Sequence, residues 1–148
     1  MKIYIGGDHA GFELKEIIKK FLVEKGFDVE DKGAFKYQAE DDYPDFIKPV
    51  AEAVSKDPEK AMGVIFGASG QGEAICANRV KGVRAAVFYG GSIKIPELSR
   101  EHNNANILSL GARFLTEEEA KLAVDVWLRT QFADGRHKRR IDKIDING

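Results

Sequence analysis

The chain predicts an α/β fold, with helices on both faces of a mostly parallel, five-stranded sheet. Three observations predict it. Short apolar runs of strand length alternate with stretches of helical period from one end to the other. The connections are short, and glycines follow strands directly, as at Gly6-Gly7, Gly67 and Gly90-Gly91. The polar residues with chemical potential fall just beyond strands, and ligands of parallel sheets collect at the strands' carboxyl ends.

Taken in order, Lys2-Ile3-Tyr4-Ile5 reads as a first strand closed by Gly6-Gly7. Asp8-His9-Ala10-Gly11 turns into a helix whose apolar residues Leu14, Ile17, Ile18, Phe21 and Leu22 share one face. Gly26 stops that helix. Phe27 to Glu30 alternates as a second strand, followed by a polar loop over residues 31–42. Tyr43-Pro44-Asp45 starts a helix with Phe46, Ile47, Val50, Ala51 and Val54 inward.

Val64-Ile65-Phe66 is a buried central strand, and Gly67-Ala68-Ser69-Gly70-Gln71-Gly72 turns it into a small-residue helix that opens at Glu73. Val83 to Phe88 is a fourth strand, broken by Gly90-Gly91-Ser92. Pro96 suits the first position of a helix through His102, which ends at Asn103-Asn104. Ile107 to Leu110 is a fifth strand. Thr116 and Glu119 form a capping box that launches a helix through Ala120, Ala123, Val124 and Trp127. A last helix begins near Gly135 and carries Arg136, His137, Lys138, Arg139 and Arg140. No linker or repeat interrupts the pattern, so residues 1–148 are expected to form one three-layer α/β/α, Rossmann-like domain.

A net charge of -1 and a pI near 6.3 argue against nucleic acid or a membrane surface as the main partner. A single cysteine, Cys76, excludes an intramolecular disulfide framework and suits a reducing cytoplasm. The opening MKIYIGGDHAG lacks the apolar core of a signal peptide, and no run approaches a membrane span. The expectation is a soluble cytoplasmic protein.

The stretch from Met62 to Arg79 carries the chemistry. Strand, glycine-rich turn and helix N-terminus make an anion-binding corner, where unpaired amides and the helix dipole favour negative charge. Ser69 adds a hydroxyl and Glu73 a carboxylate one helical turn on, which is a general base beside an oxyanion site. GASGQG matches neither the dinucleotide fingerprint nor a Walker loop, and read alone it is a tight strand-to-helix turn. Glu73 read alone is helix N-terminal decoration.

Asp8 is a helix cap or an acid/base group. His9, His102 and His137 lack metal-site spacing, so no metal and no cofactor are expected. Cys76 reads as packing. The run from Arg136 to Arg140 is a solvated face or, through the i, i+4 spacing of Arg136 and Arg140, a phosphate clamp.

GGDHAG (6–11), DYPDF (42–46), GASGQGE (67–73), ANRVKGVRAA (77–86), SREHNNANILSLGAR (99–113) and GRHKRR (135–140) make the chain resemble the type B ribose-5-phosphate isomerase family over nearly its full length. That family includes the galactose-6-phosphate isomerase subunits, but the HNN and RHxxR features set this chain apart from that branch. The resemblance implies an intramolecular oxidoreductase, an aldose–ketose isomerase. It would interconvert ribose 5-phosphate and ribulose 5-phosphate through an enediolate, without a metal. Some members use a cysteine base at the position of Gly67; with glycine there, this chain is similar to the branch whose base is the glutamate at Glu73.

Glu73 would then move the proton between carbon 2 and carbon 1, with Ser69 and the amides of Gly70 to Gly72 receiving the oxyanion. His102 or Asp8 would open the sugar ring. His9, Arg113, Arg136 and Arg140 would hold the phosphate, and Tyr43 and Asn103 the sugar. A homodimer with its active site at the interface is implied, and a tetramer is compatible. FYGGSIKIPEL (88–98) departs from the family pattern and predicts a later helix start and a reshaped loop. An isomerase of allose 6-phosphate or galactose 6-phosphate is the alternative, and a non-catalytic sugar-phosphate-binding module a further one.

Overall fold

A computed structural model describes residues 1–145. Its centre is β3 (Met62–Gly67), buried at every position, as expected of a strand covered by helices on both faces. With β1 (Lys2–Gly7), β2 (Asp28–Asp31), β4 (Ala85–Phe88) and β5 (Ile107–Gly111) it forms one sheet in the order β2-β1-β3-β5-β4. Every pairing is parallel. Between β1 and β3 the order of connection reverses, which leaves a crevice at their carboxyl ends.

Side-chain alternation divides the core in two. Val64, Phe66, Leu108 and Leu110 face one layer with Ile18 and Leu22 of α1 (Phe12–Glu24) and Val124 and Trp127 of α5 (Glu117–Arg129). Ile65 and Ile107 face the other layer with Ile47, Val50, Ala51 and Val54 of α2 (Pro44–Ser55) and Ala77 of α3 (Gln71–Asn78). Most of the expected helix faces are buried, with Ile17, Phe21 and Phe46 half-buried. Thr116 and Glu119 close both bonds of their capping box. Gly26 ends α1 at φ 89°, a conformation that excludes most side chains.

Some boundaries move. α4 (Lys94–Glu101) begins two residues ahead of Pro96, so this proline occupies the third helical position and not the first. The amides of the first turn have no intrahelical acceptor, so a proline costs little there. The loop before it turns through Gly90 and Gly91, both at positive φ. α3 opens at Gln71, before Glu73, and β4 starts only at Ala85. α6 (Arg136–Asp142) follows Gly135 as anticipated. Among the described residues, no helix is long and apolar enough to cross a membrane.

One feature of α1 has no counterpart in its apolar pattern. Lys15 is completely buried, and its Nζ donates to Asp31 at 2.6 Å and to Glu16 at 2.9 Å. Asp31 also accepts from Lys19 at 3.1 Å and from the Gly33 amide at 2.8 Å. Burial pushes the Asp31 carboxyl up, but the Lys15 bond and charge, the Gly33 amide and Lys19 together outweigh it and hold it below the usual carboxylate range.

Asp31→Ala is expected to cost about 3–5 kcal/mol at neutral pH, because it leaves the buried Lys15 ammonium with only the half-exposed Glu16 carboxylate. Lys15→Met costs less, since Lys19 and the Gly33 amide still serve Asp31. Because the folded carboxyl is depressed, its contribution is present above the unfolded value and lost as pH falls through the folded one. Urea titrations at pH 7 should separate Asp31→Ala from the parent, and the gap should narrow in acid.

Candidate active site

The turn after β3 is built around one carboxylate. Gly70, at φ 81°, caps α3 and swings the chain over the carboxyl end of the sheet. Its carbonyl accepts from the buried Ser109 hydroxyl of β5 at 2.7 Å. The Ala112 and Arg113 amides donate to the Gly67 and Ala68 carbonyls at 2.8 and 3.0 Å, tying the loop after β5 to the same corner. Glu73 is thereby folded back under the turn and is 5% exposed.

A Cβ at residue 67 would overlap the Glu73 carboxyl carbon and both oxygens, so glycine there and a carboxylate from Glu73 are one requirement. Burial pushes the Glu73 carboxyl above the ordinary glutamate range. The nearby Asp8 charge pushes the same way, while the amides of Glu73 and Gly70 pull it partly back.

Among the amides of Gly70, Gln71 and Gly72, that of Gln71 donates to the Ser69 hydroxyl oxygen at 3.2 Å.

Around Glu73 lies a cavity of about 260 Å³ lined by Asp8, His9, Tyr43, Ser69, Gly72 and Arg113, with Ala10 and Ala68. Tyr43, beside α2, brings its hydroxyl against Gly72, where a Cβ would press on it at 2.9 Å. Asp8 is the cap of the two alternatives weighed, though of a short 3-10 turn over His9–Gly11: one oxygen accepts from the Ala10 and Gly11 amides at 3.1 and 3.3 Å. It still lines the cavity, so capping does not remove it from the chemistry.

His9 Nδ1 lies 2.7 Å from Asp41 Oδ1, a partner 32 positions on that the sequence did not suggest. Asp8, His9 and Asp41 together offer possible metal-ligand atoms within 4.8 Å of one another. Asp41 Oδ1 is already engaged by His9 Nδ1, and Asp8 Oδ1 by the Ala10 and Gly11 amides.

The remaining expected residues lie elsewhere. α4 runs back from the carboxyl end of β4 toward the amino end of β5, and His102 caps its far end. Asn104, at φ 47°, is held there by Arg84, whose Nε donates to its carbonyl at 2.7 Å just ahead of β4. Arg100 Nη1 donates to the Asn104 side-chain oxygen at 2.9 Å, so two guanidinium groups lock the turn that carries His102 and the exposed Asn103.

The Ala133 amide donates to the Glu101 carbonyl at 3.0 Å, which brings α6 to the same edge. His137 of α6 stacks on His102, with centroids 4.3 Å apart and 11° between planes. Burial, then the charges of His102, Arg136 and Arg140, hold the His137 imidazole below its usual range. Arg136 and Arg140 are exposed, one turn apart. His102, Asn103, Arg136 and Arg140 are thus gathered at the amino edge of the sheet, a strand length of about 20 Å from Glu73.

A parallel α/β sheet with a buried, raised carboxylate in a small polar cavity at its carboxyl edge defines an acid–base enzyme acting on a small molecule. The chain belongs to the ribose/galactose isomerase family, whose sequence model matches residues 3–144. It is 46% identical over 142 residues to the probable ribose-5-phosphate isomerase B of Mycoplasma genitalium, covering 96% of this chain and 92% of that one. It is 43% identical over 143 residues to ribose-5-phosphate isomerase B of Mycobacterium tuberculosis, covering 96% and 86%. The solved Mycoplasma genitalium enzyme with bound ribulose 5-phosphate superposes with a TM-score of 0.93 at 45% identity, covering 97% and 93%. The Thermotoga maritima ribose 5-phosphate isomerase does so at 0.90 and 44%, covering 97% of each chain.

The raised Glu73 carboxyl has a measurable signature. Carbon-13 NMR should titrate it above the ordinary value of 4.5. Gly67→Ala should expel it from its pocket and return it toward that value with the fold intact. Because the folded pKa lies above the unfolded one, ionised Glu73 destabilises the protein as pH rises through that window. Glu73→Gln should therefore raise Tm at neutral pH, with the gain vanishing below the unfolded value.

Proposed function

We propose that this protein interconverts ribose 5-phosphate and ribulose 5-phosphate, with Glu73 as the base that carries a proton between carbon 2 and carbon 1. The observation that carries the reading is the Glu73 carboxylate, buried in one cavity with a hydroxyl, a phenol and a guanidinium, in a chain of the ribose/galactose isomerase family. A mere binding module has no use for a carboxylate held at such cost. A base poised nearer neutrality than an ordinary glutamate suits abstraction of a proton beside a carbonyl.

The roles follow from position. Ser69 stands one turn from Glu73 and, with the Gly72 amide, faces the oxygen on which negative charge develops. Gly70 shapes that turn. Tyr43 bounds the sugar, while Arg113 and His9 supply the near side of a phosphate site. His102 or Asp8 opens the ring, Asn103 contacts the sugar, and Arg136 and Arg140 close on the phosphate.

The sheet separates His102, Asn103, Arg136 and Arg140 from Glu73 within one chain, so in this reading a second copy brings its amino-edge cluster to the first copy's cavity. The functional unit is a homodimer with two shared sites, built from one domain per chain and working in the cytoplasm without a metal or cofactor. A tetramer would preserve the same pairing.

A coupled assay across ribose, allose and galactose phosphates decides the sugar, and turnover confined to the six-carbon substrates would overturn the ribose assignment. Glu73→Gln should lower kcat at least about 100-fold, and exchange of solvent deuterium into carbon 1 or carbon 2 should stop with it. Activity should survive EDTA treatment verified by metal analysis; rescue by a divalent ion would refute the metal-free route.

Arg136→Ala should mainly raise KM, since it removes a charge-assisted bond worth about 1.5–3 kcal/mol to ground and transition state alike. Mixing Arg136→Ala chains with Glu73→Gln chains should restore one site per dimer. No recovery, with subunit exchange verified by native mass spectrometry, would place both residues in one chain's site.

A further inference from the structure

Loop residues 35–40 are all exposed, yet Asp41 at their end turns inward, its side chain 6% exposed. Its Oδ1 accepts twice from one residue: from the His9 backbone amide at 3.0 Å and from His9 Nδ1 at 2.7 Å. Its Oδ2 is buried without a hydrogen-bond partner. An aspartate on a solvated loop could turn both oxygens to water, and a buried carboxylate oxygen with no donor is a standing cost. Some return must keep it there.

We infer that Asp41 is a positioning residue for His9, fixing which ring nitrogen the substrate meets. A carboxylate accepts and does not donate, so the hydrogen of this pair sits on Nδ1, leaving Nε2 as the nitrogen available to a ligand. The second bond, to the His9 amide, fixes the backbone from which the ring hangs. Tyr37 braces the ring edge-on, with centroids 6.2 Å apart. Ring plane, tautomer and main chain are therefore all set before a ligand arrives, and little order remains to be imposed on binding. An anionic phosphate in the cavity would meet a preset imidazole edge across from Arg113. That last step rests on the sugar-phosphate reading of the cavity; the Asp41–His9 link itself does not.

The test uses the full-length protein labelled with nitrogen-15 at histidine. With His9 titrated to its neutral form and no ligand present, the parent should show the hydrogen on Nδ1. Asp41→Ala should shift the ring nitrogens toward a mixture of tautomers and raise KM for ribose 5-phosphate about 10- to 100-fold, the range typical for loss of an orienting partner, with kcat changed less. Asp41→Asn keeps an acceptor oxygen and should retain both the tautomer and most of the affinity.

In a His9→Gln background, Asp41→Ala should add no further loss. A tautomer unmoved by Asp41→Ala, or an equal KM penalty with and without His9, would overturn the inference and leave Asp41 a loop anchor. Should Asp41→Ala not fold, a ligand-free parent whose neutral His9 lacks the Nδ1 hydrogen would overturn it equally. If the parent turns over no ribose 5-phosphate, the functional reading fails, while the ligand-free NMR arm still decides the link.

Discussion

A carboxylate kept out of water at the end of the central strand organises this molecule. Glu73 occupies space that any side chain at residue 67 would take, so Gly67 is fixed by it. The turn between them needs Gly70 in the left-handed region and a carbonyl anchored by Ser109 of the neighbouring strand. Gly111 must also be bare, because a Cβ there would meet the Ser69 carbonyl oxygen at 2.5 Å. Desolvation then does the chemical work of lifting the carboxyl toward neutrality, and the helix amides limit how far it goes.

The polar loop after β2 shows how an exposed segment is made exact. It is pinned at one end by Asp31, held by Lys15, Lys19 and the Gly33 amide, and at the other by Asp41 on His9. Tyr43 and α2 follow at once, so the two aspartates set where the phenol stands over the α3 turn. Charge buried under a loop is expensive. Here it pins both ends of a stretch of twelve mostly polar residues.

The sheet itself imposes the remaining constraint. Helices of a parallel fold return the chain to the opposite edge, so residues before a strand and residues after it are a strand length apart. His102 and the α6 arginines precede β5 or pack beside its amino end, whereas Glu73, Asp8 and Arg113 follow their strands. The proposed site draws on both sets, and it is on that proposal that two chains share it.

Much of this was legible in the residues. Strand and helix periods are local properties, so β3, the inward face of α2, the Gly26 stop and the Thr116 capping box stood in the sequence as they stand in the fold. Glu73 was legible because its relation to Ser69 and Gly67 is also local, a single turn after a strand. What sequence could not carry were relations between distant segments. No apolar pattern marks Lys15 as buried, because its partner Asp31 lies on another element. Nothing near Asp41 points to His9. Pro96 was misplaced because first-turn positions differ in preference more than in feasibility. The division of the site residues between the two edges came only with the parallel topology, since strand direction, which no side chain encodes alone, decides which end of an element faces the ligand.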